Sequence, residues 1–253
     1  MAFATVQFTA RRLGKAAAFN IVWPDDPALP GPYPVLYLLH GYSDDHTIWS
    51  RRTSIERYVE GKGLIVVMPD TQLGWYTNAV HGLPFEDHIM QDVIGFVDRS
   101  FPTIARREGR CIGGLSMGGY GAMKLGLKHP DKFVSLHAHS AAFVIPSPNW
   151  TNEFRQRLSL VFGPDPAGSD NDVFALAARA KKSGLPKIHI DCGTEDGLLD
   201  GNRRFHAQLK KLKIAHQYHE YPGEHNWAYW DAHIGAAVEF HLGHLKRAKA
   251  KKG

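Results

Sequence analysis

The sequence predicts an α/β fold: a mostly parallel central sheet with helices on both faces and a small insertion. Two observations predict it. Short apolar runs such as "PVLYLLH" (34–40) and "GLIVVMPD" (63–70) have the length and near-continuous hydrophobicity of strands buried on both faces. Segments of helical period lie between such runs, and this alternation is the order that builds a parallel sheet. With 253 residues, 43% hydrophobic and 22% charged, the chain is long enough to enclose one large core.

The elements follow in order. "TVQFTA" (5–10) and "AFNIVWP" (18–24) read as an antiparallel start, before the strands at 34–40 and 63–70. In "EDHIMQDVIGFVDRSF" (86–101), Ile89, Val93, Phe96 and Val97 recur at helical spacing. "CIGGL" (111–115) is a strand, 117–129 a helix and "FVSLHAHS" (133–140) a strand. After an irregular stretch come the strand "KIHIDCG" (187–193), a helix running to Leu209, the strand "HQYHEYP" (216–222) and a last helix from about Asp231.

We read residues 1–253 as a single domain, with 141–182 as an insertion or lid and 246–253 as a basic tail. The insertion contains "PSPNW" and "GPDPAGSDND", and a long connection inside a domain is usually functional or mobile. Its acidic run lacks the ligand pattern of a calcium loop, so Asp170 or Asp172 is expected to cap a helix. Lys246, Arg247, Lys249, Lys251 and Lys252 in the tail account for the net charge of +5, leaving 25 basic against 25 acidic residues elsewhere. A nucleic-acid partner would need a basic face on the folded body, so none is expected. No apolar run approaches the roughly 18 residues of a membrane span, and the first residues lack a signal-peptide pattern. Cys111 and Cys192 sit in or beside apolar runs and read as reduced core residues, which predicts a reducing compartment such as the cytoplasm.

"GGLSMGGYGA" (113–122) packs five glycines around Ser116. Within it "GLSMG" fits Gly-x-Ser-x-Gly between a strand and a helix, the context of a nucleophile elbow. The turn places the serine at a strained apex, and the glycines let neighbouring backbone come close. The positive end of the following helix points at the reacting oxygen. Such a serine needs a base, and the base needs an orienting acid, in the chain order Ser, Asp or Glu, His. "GTEDGLLD" after the strand at 187–193 offers Glu195, Asp196 and Asp200, and "GEHNW" after the last strand offers His225. His216 and His219 lie within that strand and read as packing or surface residues. His137 and His139 precede the acid, so they break the order, although they can border the site. An oxyanion hole takes the N–H of the residue after the nucleophile, Met117, and one from the loop "LLHGYSDDHTIW", where Tyr42 follows His40-Gly41. His40 is expected to shape that loop by hydrogen bonding.

Together "LLHGYSDDHTIW", "GLSMGGYGA", "CGTEDGLLDGNRRF" and "YPGEHNWAYWDAHI" resemble the putative-esterase branch of the α/β-hydrolases, from about Val35 to the final helix. That branch includes tributyrin-type, feruloyl and acetylxylan esterases, S-formylglutathione hydrolases and mycolyltransferases. The resemblance implies the α/β-hydrolase fold, a triad of Ser116, Asp196 and His225, and oxyanion donors at Tyr42 and Met117. The aspartate of "GTED" is the family's acid, which selects Asp196 from the three candidates. "QLGWYTNAVHGLPFEDH" (72–88) resembles a segment running near the family's active site, so Trp75 and Tyr76 are expected to line an acyl or aryl pocket.

The implied function is a serine carboxylesterase that hydrolyses short-chain acyl or aryl esters through an acyl-enzyme. The alternatives are an S-formylglutathione hydrolase-type thioesterase and a feruloyl or acetylxylan esterase. "GYSDDHTIW" lacks the cysteine those thioesterases tend to carry after His-Gly, and the secreted mycolyltransferases would need an export signal. A non-enzymatic binding protein is disfavoured because all three triad residues are present. The partner is a small-molecule ester. No dinucleotide fingerprint, phosphate loop or metal spacing is visible, so no cofactor is expected.

Overall fold

Two nine-residue strands open the chain, β1 (Ala2–Ala10) and β2 (Lys15–Trp23), paired antiparallel from Ala2 opposite Trp23 to Ala10 opposite Lys15. In this computed structural model, which describes residues 1–145 and 150–246, six shorter strands follow. They are β3 (Val35–Leu39), β4 (Ile65–Pro69), β5 (Arg110–Leu115), β6 (Ser135–His139), β7 (Lys187–Gly193) and β8 (Gln217–Tyr221). All eight join one sheet in the order β1-β2-β4-β3-β5-β6-β7-β8. β2 meets β4 antiparallel, and every pairing from β4 to β8 is parallel. The sheet is thus mostly parallel with an antiparallel start, as the sequence predicts.

Successive side chains of a strand point to opposite faces, and this period divides the apolar residues into two cores. Val35, Tyr37 and Leu39 of β3 face the larger core, with Ile65, Val67 and Ile112. Leu36 and Leu38 face the smaller one, with Val66, Met68, Cys111 and Leu115. The larger core is closed by α4 (Ile94–Ser100), α5 (Met117–Lys128), α7 (Val173–Arg179) and α8 (Leu199–Lys211). The smaller is closed by α1 (Ile48–Arg52), α2 (Ile55–Val59) and α9 (Trp227–Leu242). Each large aliphatic side chain buried this way contributes about 1.5–3 kcal/mol. Both cysteines are buried and free.

The structure departs from the sequence reading in two places. The helix expected at 86–101 is broken into α3 (Phe85–Asp87), a π-helical turn (His88–Val93) and α4, with Ile89, Val93 and Val97 still buried along one side. The last helix begins at Trp227 rather than near Asp231, because the Asn226 side chain accepts the Tyr229 N–H at 3.1 Å and caps it. The stretch 141–182 holds two short helices, α6 (Asn152–Phe162) and α7, the latter capped by Asp172 through the Phe174 and Ala175 amides, one of the two aspartates expected to cap a helix there. Part of "PSPNW" (146–149) and the tail beyond Lys246, with Arg247, Lys249, Lys251 and Lys252, lie outside the described residues. Among the described residues no helix is long and apolar enough to cross a membrane.

Candidate active site

The parallel strands end on one edge, and the loops leaving β3, β5, β7 and β8 meet there. Ser116 stands alone between the last residue of β5 and the first of α5, at φ 52° and ψ −116°. A positive φ costs energy for any residue with a Cβ, and the neighbouring backbone holds it: the Ser116 N–H donates to the His139 carbonyl at 2.9 Å, and its own carbonyl accepts the Tyr120 N–H at 3.0 Å. The flanking glycines serve close approach. A Cβ on Gly114 would strike the Leu39 carbonyl, and one on Gly118 the carbonyls of Leu39 and His40. The elbow therefore lies directly against the end of β3.

His225, in the loop between β8 and α9, brings Nε2 to 3.0 Å from Ser116 Oγ. Its Nδ1 lies 2.8 Å from Asp196 Oδ2. With Nδ1–H donating to the carboxylate, Nε2 is free to accept the serine hydroxyl proton. Asp196 Oδ1 accepts the Leu198 N–H at 2.7 Å. Burial by itself would raise the Asp196 carboxyl, but the bond and charge of His225 and the Leu198 amide outweigh it and hold the group below its usual range. The His225 ring stands edge-on to Trp230, perpendicular at 5.0 Å between centroids. The other two carboxylates are exposed and point elsewhere: Asp200 sits in the first turn of α8, and Glu195 bonds Thr194 and Gly223.

Met117 opens α5, and the first amides of a helix have no intrahelical acceptor. On the facing loop, His40 shapes the backbone before Tyr42, as expected. Its Nε2 accepts the Thr71 N–H at 3.1 Å, which leaves Nδ1–H to donate to the Gly41 carbonyl at 2.7 Å. Ser116, Asp196 and His225 open into a cleft of about 370 Å³ whose walls include Tyr42, Trp75, Ala142, Trp150, Phe154 and Leu198. Trp75 lines this cleft as expected, but Tyr76 does not. Fully buried, Tyr76 turns its phenol to the His40 carbonyl at 2.9 Å. Trp150 and Phe154, which close the cleft from the insertion, were not singled out in the sequence; "PNW" preceding a helical stretch was the available signal. His137 and His139 are buried beneath the site rather than bordering the cleft. His216 and His219 lie with β8 and its approach, away from it.

The fold and this edge define a serine hydrolase of the α/β-hydrolase class. The model of the family described as Putative esterase matches residues 10–241, and the chain belongs to that family. It is 33% identical over 217 residues to an acetyl esterase of Caldicellulosiruptor saccharolyticus, an alignment covering 81% of this chain and 82% of the relative. To an esterase of Mycobacterium tuberculosis it is 31% identical over 251 residues, covering 87% of this chain but 54% of that longer protein. Among solved structures, a substrate-bound fluorophosphonate-binding serine hydrolase of Staphylococcus aureus superposes with a TM-score of 0.87 at 30% identity, covering 95% of this chain and 98% of that one. An S-formylglutathione hydrolase of the same organism superposes with a TM-score of 0.85 at 30% identity and the same coverage.

Proposed function

We propose that the protein is a carboxylesterase for short-chain acyl or aryl esters that works through an acyl-enzyme on Ser116. The observation that carries this reading is the continuous hydrogen-bonded line from Ser116 Oγ through His225 to Asp196. As Oγ attacks the ester carbonyl carbon, its proton passes to His225 Nε2, and the ionised Asp196 stabilises the imidazolium through Nδ1–H. The carbonyl oxygen becomes an oxyanion received by the Tyr42 and Met117 amides, the second at the positive end of α5. Collapse of this adduct breaks the C–O bond, and His225 returns its proton to the departing alcohol. A water, deprotonated by His225, then attacks the acyl-serine, and a second adduct releases the carboxylic acid and restores Oγ–H.

The walls of the cleft favour a neutral, compact acyl group. They are aromatic and aliphatic, and among the described residues no lysine or arginine lines them to pair with the carboxylates of a glutathione leaving group. That favours an ester over the glutathione thioester, although the same machinery would cleave either. We read the chain as one domain acting on small-molecule esters in the cytoplasm. The single sheet running from residue 2 to 221 and the two buried free cysteines support this. The test is covalent labelling. A fluorophosphonate should modify Ser116 stoichiometrically, and Ser116→Ala should fold normally while losing roughly 10⁴ in kcat. An active Ser116→Ala enzyme would overturn the reading.

A further inference from the structure

Trp75 and Tyr76 form a consecutive pair of bulky residues in the left-handed region, both at φ 52°. Such a pair is costly and persists only where its surroundings over-determine it. Here they do. The Thr77 hydroxyl donates to the Trp75 carbonyl at 3.0 Å. The Lys124 ammonium, fully buried on α5, donates to the Tyr76 carbonyl at 3.2 Å and to Thr77 Oγ1 at 2.8 Å. Glu86 pairs with Lys124 at 2.8 Å. Opposite the turn, Gly121 leaves room for the Tyr76 ring, since a Cβ there would run into it.

The strain has a destination. The Tyr76 phenol reaches the His40 carbonyl, and the segment that carries it also delivers the Thr71 N–H to the His40 ring. With the ring bonded to the Gly41 carbonyl, both ends of His40 are fixed directly before Tyr42. Burial raises the phenol far above its ordinary range, so it stays protonated and able to donate. We propose that Tyr76 is a positioning residue for the oxyanion hole: its phenol locks the His40–Gly41 backbone so that the Tyr42 N–H faces the developing oxyanion. The inference rests on the reading of Ser116 and Tyr42 given above. A donor held in place costs no reorganisation in the transition state, whereas one that must first find its place does.

Tyr76→Phe removes one oxygen and keeps the ring, so it isolates the bond. Wild type, Tyr76→Phe and Ser116→Ala are compared for kcat and KM on an acetyl aryl ester, for the rate of phosphonylation by a fluorophosphonate, and for thermal midpoint. For Tyr76→Phe, kcat and the phosphonylation rate should fall together by about ten-fold, the effect of one lost hydrogen bond, with KM nearly unchanged. A folded Tyr76→Phe enzyme within two-fold of wild type in both rates, beside an inactive Ser116→Ala, would overturn this inference alone. An active Ser116→Ala would sink it together with the assignment of the site. Should Tyr76→Phe fail to fold, Lys124→Gln loosens the same turn while leaving the phenol present. It should show the same paired loss, and unchanged rates in that folded variant would equally overturn the proposal.

Discussion

The Glu195 carboxylate accepts the Gly223 amide N–H at 2.5 Å, fastening the residue beside Asp196 to a residue two positions before His225. The backbone returns the grip, with the Glu195 N–H donating to the Gly223 carbonyl at 3.0 Å and the Thr194 N–H to the Tyr221 carbonyl at 2.8 Å. The loops that carry the acid and the histidine therefore move as one body. Glu195→Gln keeps an acceptor for the amide and should lower kcat only a few-fold. Glu195→Ala removes the clamp and should cost about ten-fold. Equal activity of wild type and Glu195→Ala in steady-state assays would show that the backbone bonds suffice.

Asp196→Asn keeps the shape of the acid but removes its charge and invites the wrong histidine tautomer. Turnover should fall by roughly 10⁴, while Asp200→Asn stays near wild type. Parallel kinetics on the two variants separate the candidates, and a crippled Asp200→Asn enzyme would misplace the acid.

Acyl preference should follow the cleft. Each methylene that finds room adds about 0.8 kcal/mol of burial, and the first that does not must clash or stay wet. Rates on p-nitrophenyl esters should peak between acetyl and butyryl and drop steeply beyond octanoyl. Trp150→Ala should move the optimum toward longer chains. An optimum at palmitoyl esters with activation at an oil–water interface would contradict both expectations.

Stability should weaken in mild acid. His137 Nδ1 lies 2.7 Å from His241 Nε2, and His241 Nδ1 lies 2.7 Å from Ser135 Oγ, all fully buried between β6 and α9. Burial first, then the neighbouring His139 and His189, hold both rings well below the ordinary 6.5; His244 adds to this for His241. His139, whose ring lies 4.6 Å from that of His137, pairs with the Asp191 carboxylate at 2.7 Å, and the same carboxylate is engaged by His189 at 3.2 Å and the Tyr229 hydroxyl at 2.9 Å. Below pH 6.5 the unfolded chain takes up protons that these two rings refuse, so stability is complete above that value and is lost as the pH falls. Urea midpoints should decline from pH 7 to pH 5, and a constant midpoint would mean that other groups offset the pair.

The sequence was most legible where local chemistry dictates structure. The apolar runs became β3 to β7, and the glycines around Ser116 marked an elbow. Chain order pointed to the loops leaving β7 and β8 for an acid and for His225, with the choice of Asp196 over Glu195 and Asp200 resting on the family resemblance. What it hid depends on partners distant in the chain. Tyr76 beside Trp75 read as a second wall residue, because nothing local reveals that two aromatics at positive φ send their side chains in different directions. Glu195 looked like a competitor for the acid because its bond is to Gly223, 28 positions away. The early start of α9 turned on a cap by Asn226, hidden behind His225 in the same short motif.

The cleft aromatics divide by origin. Tyr42 belongs to the loop after β3 and Trp75 to the loop after β4, whereas Trp150 and Phe154 come from the stretch between β6 and β7. Trp150 meets Phe154 edge-on at 5.0 Å, and Phe154 meets Tyr42 at the same distance, so these aromatics join the two halves through rings. The root of the stretch is tied to the elbow by the Ala142 N–H, which donates to the Ser116 carbonyl at 3.2 Å. Substrate choice is in this sense a removable part. Descendants could diverge in diet by rewriting the part of that stretch that carries Trp150 and Phe154, with the anchoring Ala142 and the chemistry inherited untouched, and an engineer could graft that part from a relative in one exchange.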